Sequence, residues 1–282
     1  MTADASDEIT LQQAADRLGV HYMTVYRYVR LGILGAHKVG GTWRIDLRDL
    51  DRLQASQTSA VSSQPLTRQP APWATRLQRR MVAGDTTGSW QVLESAMASG
   101  MTPADTYVEI LGPALHAIGI AWRGGDLGIE QEHIASRVAT SLIGRLGPRF
   151  QRRGRHRGKI LVVMPPGDRH GLGAAMVSDI LRGDGYAVLD LGPDTPPASL
   201  TAAMAAGDDL VGVIVSVADV ARLRDARRLV AAARRHDPRT LLIASGFAVP
   251  DAATARSLGA DGWTADPRLL ADLITELAAR QS

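Results

Sequence analysis

The sequence predicts a multidomain protein of mixed class: a compact, mainly helical N-terminal module, a four-helix bundle, and a parallel α/β sheet with helices on both faces. Three observations predict it. Residues 55–71, ASQTSAVSSQPLTRQPA, are rich in Ser, Gln and Pro and read as a flexible linker. Between 72 and 150, apolar residues recur at helical spacing. Beyond 157, short apolar runs alternate with helical stretches, the pattern of a doubly wound sheet.

The chain has 282 residues, 45% of them apolar, which is enough for two or three separate cores. It contains no cysteine, so disulfides, thiolate zinc sites, iron–sulfur clusters and cysteine nucleophiles are excluded. The opening residues MTADASDEIT carry no signal-peptide pattern, and no apolar run approaches the ~20 residues of a membrane span. A soluble cytoplasmic protein without a membrane partner is expected. The net charge is only +3, but its distribution is uneven. Five Lys/Arg and no acid fall between Arg17 and Arg44, and seven Lys/Arg and no acid fall between Arg145 and Lys159. Both stretches are candidates to face anions, although the second reads more simply as a solvated connector.

Residues 8–54 are the first module. ITLQQAADRLGVHYMTVYRYVRLGIL reads as helix, tight turn, helix, with Ala14, Ala15 and Leu18 on an apolar face and Gly19 ending the first helix. The second helix begins near Met23. Val25 and Val29 are expected to face inward, leaving Thr24, Arg27, Tyr28 and Arg30 outward. Gly40-Gly41 between alternating residues predicts a hairpin, with Lys38, Trp43 and Arg44 on its flanks. A small structural domain with a charged face is the plain alternative. A helix followed by a basic hairpin favours docking on double-stranded DNA, where Lys and Arg meet phosphates and polar helix residues reach base edges. The segment resembles excisionase-type and MerR-related winged helix–turn–helix modules over about residues 8–53, a resemblance that implies DNA binding.

Residues 72–150 are the bundle. Tyr107, Leu111, Ala114, Leu115, Ile118 and Trp122 share one face of its third helix, which opens on Thr102 as cap and Pro103 in the first turn. Ile134, Val138, Leu142 and Leu146 share a face of the fourth. Trp122 is expected to end the third helix, and Glu132-His133 to open the fourth, so that both point toward one end of the bundle. Read alone, Trp122 is a core aromatic, Glu132 a dipole-favoured N-terminal charge and His133 a surface residue.

Residues 157–282 are the sheet domain, expected to be flavodoxin- or Rossmann-like. The strand-like runs are KILVVM (159–164), YAVLDL (186–191), LVGVIVS (210–216) and TLLIAS (240–245), with ADGWTA (260–265) as a possible fifth; helices are expected at 172–183, 220–235 and 267–280. Ligands of such sheets sit beyond the carboxyl ends of the strands, which directs attention to the loops after 164, 216 and 245. The first of these loops contains Asp168-x-His170-x-x-Gly173. His170 can project over the sheet edge. Asp168 is placed to accept a hydrogen bond from one ring nitrogen, fixing the tautomer and raising the basicity of the other as a metal ligand. Gly173 lets a large group approach the backbone. The alternative is an ordinary flavodoxin-like domain with a loop histidine.

These residues resemble the corrinoid-binding motif of the methionine synthase family, in which the histidine is the lower axial ligand of cobalt. The resemblance implies that Ser216 and Gly246 line the pocket of the nucleotide tail, with Ala218 and Ser245 replacing the leucine and first glycine usual there. The spacing Trp122-x9-Glu132-His133 resembles the motif of CarH-type regulators, photoreceptors that bind adenosylcobalamin. It implies that Trp122 and Glu132 flank the adenosyl group above cobalt with His133 as a further cofactor-binding residue, that light breaks the cobalt–carbon bond, and that a homo-oligomer, dimer or tetramer, binds operator DNA in the dark. At residue 123 the sequence departs from that family: arginine stands where a histidine commonly follows the tryptophan, and arginine is a poor metal ligand. The resemblance implies a non-enzymatic transcriptional regulator. Two alternatives are a corrinoid carrier for methyl transfer, and a regulator that senses cobalamin supply or another ligand in place of light.

Overall fold

A computed structural model describes residues 8–18, 22–30, 34–39, 42–51 and 73–281, without the side chains of residues 23, 24, 27, 30 and 281. Gly19, the Gly40-Gly41 turn and the 55–71 linker lie outside the described residues, as do the side chains of Thr24, Arg27 and Arg30. The chain divides into two units, Met1–Ala71 and Pro72–Ser282.

In the first unit, β1 (Glu8–Thr10) leads into α1 (Leu11–Leu18) and α2 (Tyr22–Arg30), followed by β2 (Ala36–Val39), β3 (Thr42–Asp46) and a short helical stretch α3 (residues 47–51). The three strands form an antiparallel sheet in the order β1-β3-β2. Val39 pairs with Thr42 across the expected turn. Ile9, Leu11, Ala14, Ala15, Val25, Leu34, Ile45 and Leu50 make its core. This arrangement follows from the apolar stripes of two short helices, which a three-stranded sheet covers on one side.

The second unit begins with α4 (Trp73–Val82), α5 (Thr86–Ala98), α6 (Pro103–Asp105), a π-helical turn at Thr106–Leu111, α7 (Gly112–Gly124) and α8 (Ile129–Leu146). The third helical stretch starts as its sequence predicts. Thr102 and Asp105 form a reciprocal capping box with Pro103 in the first turn. A π turn interrupts the helix that the sequence predicts as continuous. Pro113 has no N–H to offer Glu109, and the Gly112 N–H reaches back to Tyr107 instead, so one residue is looped into the helix. The shift keeps Tyr107, Ile110, Leu111, Ala114 and Ile118 in the core. Ile134 departs from expectation. It is 43% exposed, and Ala135 replaces it, because a strict i, i+4 row drifts off the buried face of a helix.

The sheet domain contains β4 (Lys159–Val163), α9 (Leu172–Gly183), β5 (Ala187–Gly192), α10 (Pro197–Ala205), β6 (Leu210–Ser216), α11 (Leu223–His236), β7 (Leu241–Ser245), α12 (Ala252–Leu258) and α13 (Leu270–Gln281). Its four strands are parallel, in the order β5-β4-β6-β7. Ile160 and Val162 face a core shared with α9 and α13. Leu161 and Val163 face another, shared with α10, α11 and α12. Helices therefore cover both faces, as alternation in a strand buried on both sides requires. The expected fifth strand is reduced to a single bridge between Gly262 and Ile243. The indole N–H of Trp263 donates to the Val249 carbonyl at 2.8 Å, and the chain then turns away at Asp266-Pro267.

The bundle and the sheet domain meet along α9. Leu172, Ala175, Met176 and Ile180 join the bundle core. Tyr107 stacks on Phe150, with ring centroids 5.1 Å apart, and donates a 2.9 Å hydrogen bond to the buried carboxylate of Asp179, which Arg182 also holds. Burial, with Asp179 beside it, pushes the Tyr107 hydroxyl well above the ordinary tyrosine range, so it stays a donor. A second tie is ionic: Arg268 bonds Asp105 and Glu109 of the bundle and Asp266 of its own loop.

Candidate functional site

The strand order reverses direction between β4 and β6, with β5 on one side of the pair and β7 on the other. The crevice at such a reversal is where open α/β sheets bind ligands. Asp168 sits in it. Its side chain is fully buried, and every hydrogen bond it makes tightens the crevice. One oxygen lies 2.9 Å from Nδ1 of His170 and accepts the His170 backbone N–H at 3.3 Å. The other accepts the backbone N–H groups of Ala218, at 2.8 Å, and Asp219, at 3.3 Å, both in the loop after β6. A single carboxylate thus joins the two loops flanking the reversal and orients the imidazole. Nδ1 donates to it, which leaves Nε2 as the ring's lone-pair nitrogen. The side chain is 61% exposed, and Nε2 has no hydrogen-bond partner among the described residues.

The loop is braced from a second strand. Asp194, after β5, accepts the Gly167 N–H at 2.7 Å, and its own N–H donates to the Asp168 carbonyl at 3.0 Å. Asp194 adopts φ +55, a conformation an Asx side chain tolerates. Gly173 lies in the first turn of α9, and a Cβ added there meets open space. It is compatible with a bulky neighbour.

Ser216 and Ser245 end adjacent strands in register and are both buried. The Ser245 hydroxyl has no hydrogen-bond partner, an unusual state for a buried polar atom and one that a ligand group would relieve. Gly246 has a different reason to be glycine from the one the sequence offered. Its φ is +98, and a Cβ there would lie 2.5 Å from the Val217 carbonyl oxygen. The space is filled by protein backbone, so this glycine serves the packing of the β6 and β7 loops.

Trp122 lies in the last turn of α7 and Glu132 in the first turn of α8, on either side of the short 125–128 connection, so both sit at one end of the bundle. Trp122 is 39% exposed and is therefore not a core aromatic. One Glu132 oxygen accepts the Ser136 hydroxyl at 2.6 Å, and the other lies 3.8 Å from Nε2 of the exposed His133. At the same end, Arg123 lies 5.7 Å over the ring of Phe247, and His116 packs on that ring at 4.7 Å. Phe247 belongs to the loop after β7, so it carries the bundle to the rim of the crevice. No sequence pattern singled it out.

In the first unit, Lys38 is exposed on β2, its ammonium 5.1 Å from the centroid of the Trp43 ring, and Arg44 is half-buried on β3. Tyr28 is expected to face outward, but it is partly buried and packs on the core beside Val29. Its ring is large enough to serve the small core, and that takes it from the outward face of α2.

Family models agree with this division of labour. Residues 73–146 and 158–270 each match a B12 binding domain, and residues 8–58 match a helix-turn-helix domain. The chain combines B12-binding domains with a helix–turn–helix. The monomethylamine corrinoid protein 2 of Methanosarcina acetivorans is 25% identical over 42% of the chain and 56% of its own length. The HTH-type transcriptional repressor CarH of Myxococcus xanthus is 28% identical over 58% of the chain and 54% of its own. The chain thus spans little more than half of either relative. The monomethylamine corrinoid protein of Methanosarcina barkeri shares the fold of the second unit, with a TM-score of 0.59 at 17% identity, over 72% of this chain and 94% of that one. These likenesses support a cobalamin-type cofactor. Among the described residues no group of three or more His, Asp and Glu side chains forms a metal cage, and no described helix is long and apolar enough to cross a membrane.

Proposed function

We propose that the chain is a cobalamin-dependent transcriptional regulator, without catalytic activity of its own, in which the state of an adenosylcobalamin cofactor controls the binding of a homo-oligomer to operator DNA. One observation carries the reading: a single imidazole, fixed by a buried carboxylate, presents its free nitrogen at the reversal point of the sheet. A corrinoid brings its own ring nitrogen donors and would need one further ligand from the protein, a role His170 would fill. Asp168 sets the tautomer and basicity of the ligating ring. The unsatisfied Ser245 hydroxyl and the buried Ser216 beside it suit a polar tail lying along the sheet.

Bound adenosylcobalamin would supply a cobalt–carbon bond that visible light cleaves. The protein's own part is to hold two arrangements of the bundle. Trp122 offers an exposed indole for stacking, and the Glu132 carboxylate can accept hydroxyl donors. Both reward an adenosyl group more than a methyl group, and a ligand moves an equilibrium only by such differential contact. Arg123 is held over Phe247, and a guanidinium is a poor metal ligand, so it does not serve as a cobalt ligand. In the first unit, α1 and α2 with the β2–β3 hairpin are read as a winged helix–turn–helix. Lys38 and Arg44 sit on the wing, and Thr24, Arg27 and Arg30 on the recognition helix.

Resemblance to a corrinoid protein favours a second reading, a methyl carrier. The helix–turn–helix has no use in such a protein. One experiment separates them. Full-length protein is reconstituted with adenosylcobalamin in darkness, desalted, and its absorption spectrum and operator mobility shift are recorded before and after green light. A regulator gives a coloured protein whose DNA complex changes on illumination. A colourless protein, or a coloured one that never retards DNA, sinks the proposal.

A further inference from the structure

Arg222 ends the 3-10 turn after β6, directly across the crevice from the His170 loop. Its guanidinium lies against Gly167: a Cβ on that glycine would stand 2.9 Å from both the guanidinium carbon and one terminal nitrogen. Space for Arg222 is therefore one reason why position 167 is glycine. The side chain has five N–H donors, yet it makes no hydrogen bond to any described residue, and its Nε is buried with no acceptor. Asp219 forms a loose ion pair with it, Oδ2 standing 3.8 Å from Nε, which is beyond hydrogen-bond reach. The Asp219 Oδ1 atom is already taken by the Ala221 N–H at 2.9 Å. By contrast, Arg182, Arg234 and Arg268 of the same domain are all bonded to carboxylates. A guanidinium packed against the ligand loop, with a buried Nε and no hydrogen-bond acceptor among the described residues, is arranged for an oxygen from outside the chain.

We propose that Arg222 is a binding residue for the corrinoid, donating to an acceptor oxygen on the side of the ring that faces His170. This rests on the cobalamin reading above. Two sources share that chemistry: the phosphodiester of the nucleotide tail and the amide carbonyls around the corrin. Lysine would not match either as well, because a planar fork can grip two acceptors at once.

The test uses full-length protein titrated with hydroxocobalamin and, separately, with cobinamide, which keeps the corrin amides but lacks the phosphodiester and base. Affinity is read from absorbance, and the melting temperature of each ligand-free variant is recorded in parallel. Arg222→Met keeps the aliphatic stem over Gly167, and Arg222→Gln is read in the same way. Hydroxocobalamin binding should weaken about tenfold or more, with the ligand-free melting temperature unchanged. Loss for hydroxocobalamin alone assigns the contact to the phosphodiester, and equal loss for both assigns it to an amide. Unchanged affinity for both ligands overturns the proposal. So does a loss that is matched by a fall in ligand-free melting temperature, which would make Arg222 a structural brace. If wild-type protein binds neither ligand, the cobalamin reading fails first, and that outcome is distinct from failure of Arg222 alone.

Discussion

Asp168 and His170 are two residues apart, and they differ completely in exposure: the carboxylate is sealed in the crevice while the imidazole it orients stands mostly in solvent. That contrast separates their expected mutant behaviour. His170→Ala removes an exposed ring and should leave the ligand-free melting temperature unchanged, while abolishing the absorption bands of the ligated corrinoid. Asp168→Ala strands the buried N–H groups of Ala218 and Asp219, so it should also lower the stability of the ligand-free protein by about 3 kcal/mol. Chemical denaturation of both variants measures this. Equal stability loss in the two would disprove the clamp.

Gly246 should tolerate no side chain. Its positive φ and the 2.5 Å approach to the Val217 carbonyl predict that Gly246→Ala costs roughly 2–4 kcal/mol. Gly173→Ala, which meets open space, should leave ligand-free stability nearly unchanged and weaken corrinoid binding instead. The pair is checked by urea denaturation and ligand titration. If Gly173→Ala binds the corrinoid as tightly as wild type, the crevice does not extend over α9.

Arg268 should make the bundle–sheet contact acid-sensitive. Hydrogen bonds from Thr102, and then Arg268, hold the Asp105 carboxyl below its ordinary range. For Asp266, burial pushes the other way, but the hydrogen bonds from Arg268 outweigh it. Carboxylates held low in the folded state contribute stability that is complete above their unfolded value near pH 4, and lose it as pH falls through the lower folded value. Melting temperature should therefore drop below about pH 4 in wild type, and less steeply in Arg268→Ala. At neutral pH that variant should lose only about 1 kcal/mol, since the cluster is partly solvated. Parallel acid profiles for the two proteins would contradict this.

Trp122→Ala should discriminate between upper ligands. Losing the indole should weaken adenosylcobalamin binding about two- to tenfold, and methylcobalamin binding scarcely at all. Equal weakening of both would make Trp122 a general wall of the site with no preference for the adenosyl group.

Much of the architecture was legible because it rests on local physics. Alternating apolar residues around Ile160–Val163 can only be buried on both faces of a sheet, and Thr102-Pro103-x-Asp105 is a complete helix start. The Asp168–His170 pair was legible because two residues suffice to place a carboxylate beside an imidazole. What escaped depends on contacts distant in sequence. The backbone donors of Ala218 and Asp219, the Phe247 ring under His116 and Arg123, and Arg222 over Gly167 all join loops that only the sheet brings together. The π turn escaped because it depends on one missing N–H at Pro113, and Tyr28 because a core this small recruits a residue from the outward face.

The helix α9 begins two residues after His170 and belongs to both bodies of the second unit. Ala174, Val177 and Leu181 are sunk in the sheet core, while Ile180 is sunk in the bundle core and the half-buried Leu172, Ala175 and Met176 pack against it. One rigid rod therefore runs from beneath the imidazole to the Tyr107–Asp179 bond. A pull on that ring would reach the bundle along a continuous shaft, so the regulator proposed above would need no separate relay between the part that grips and the part that moves.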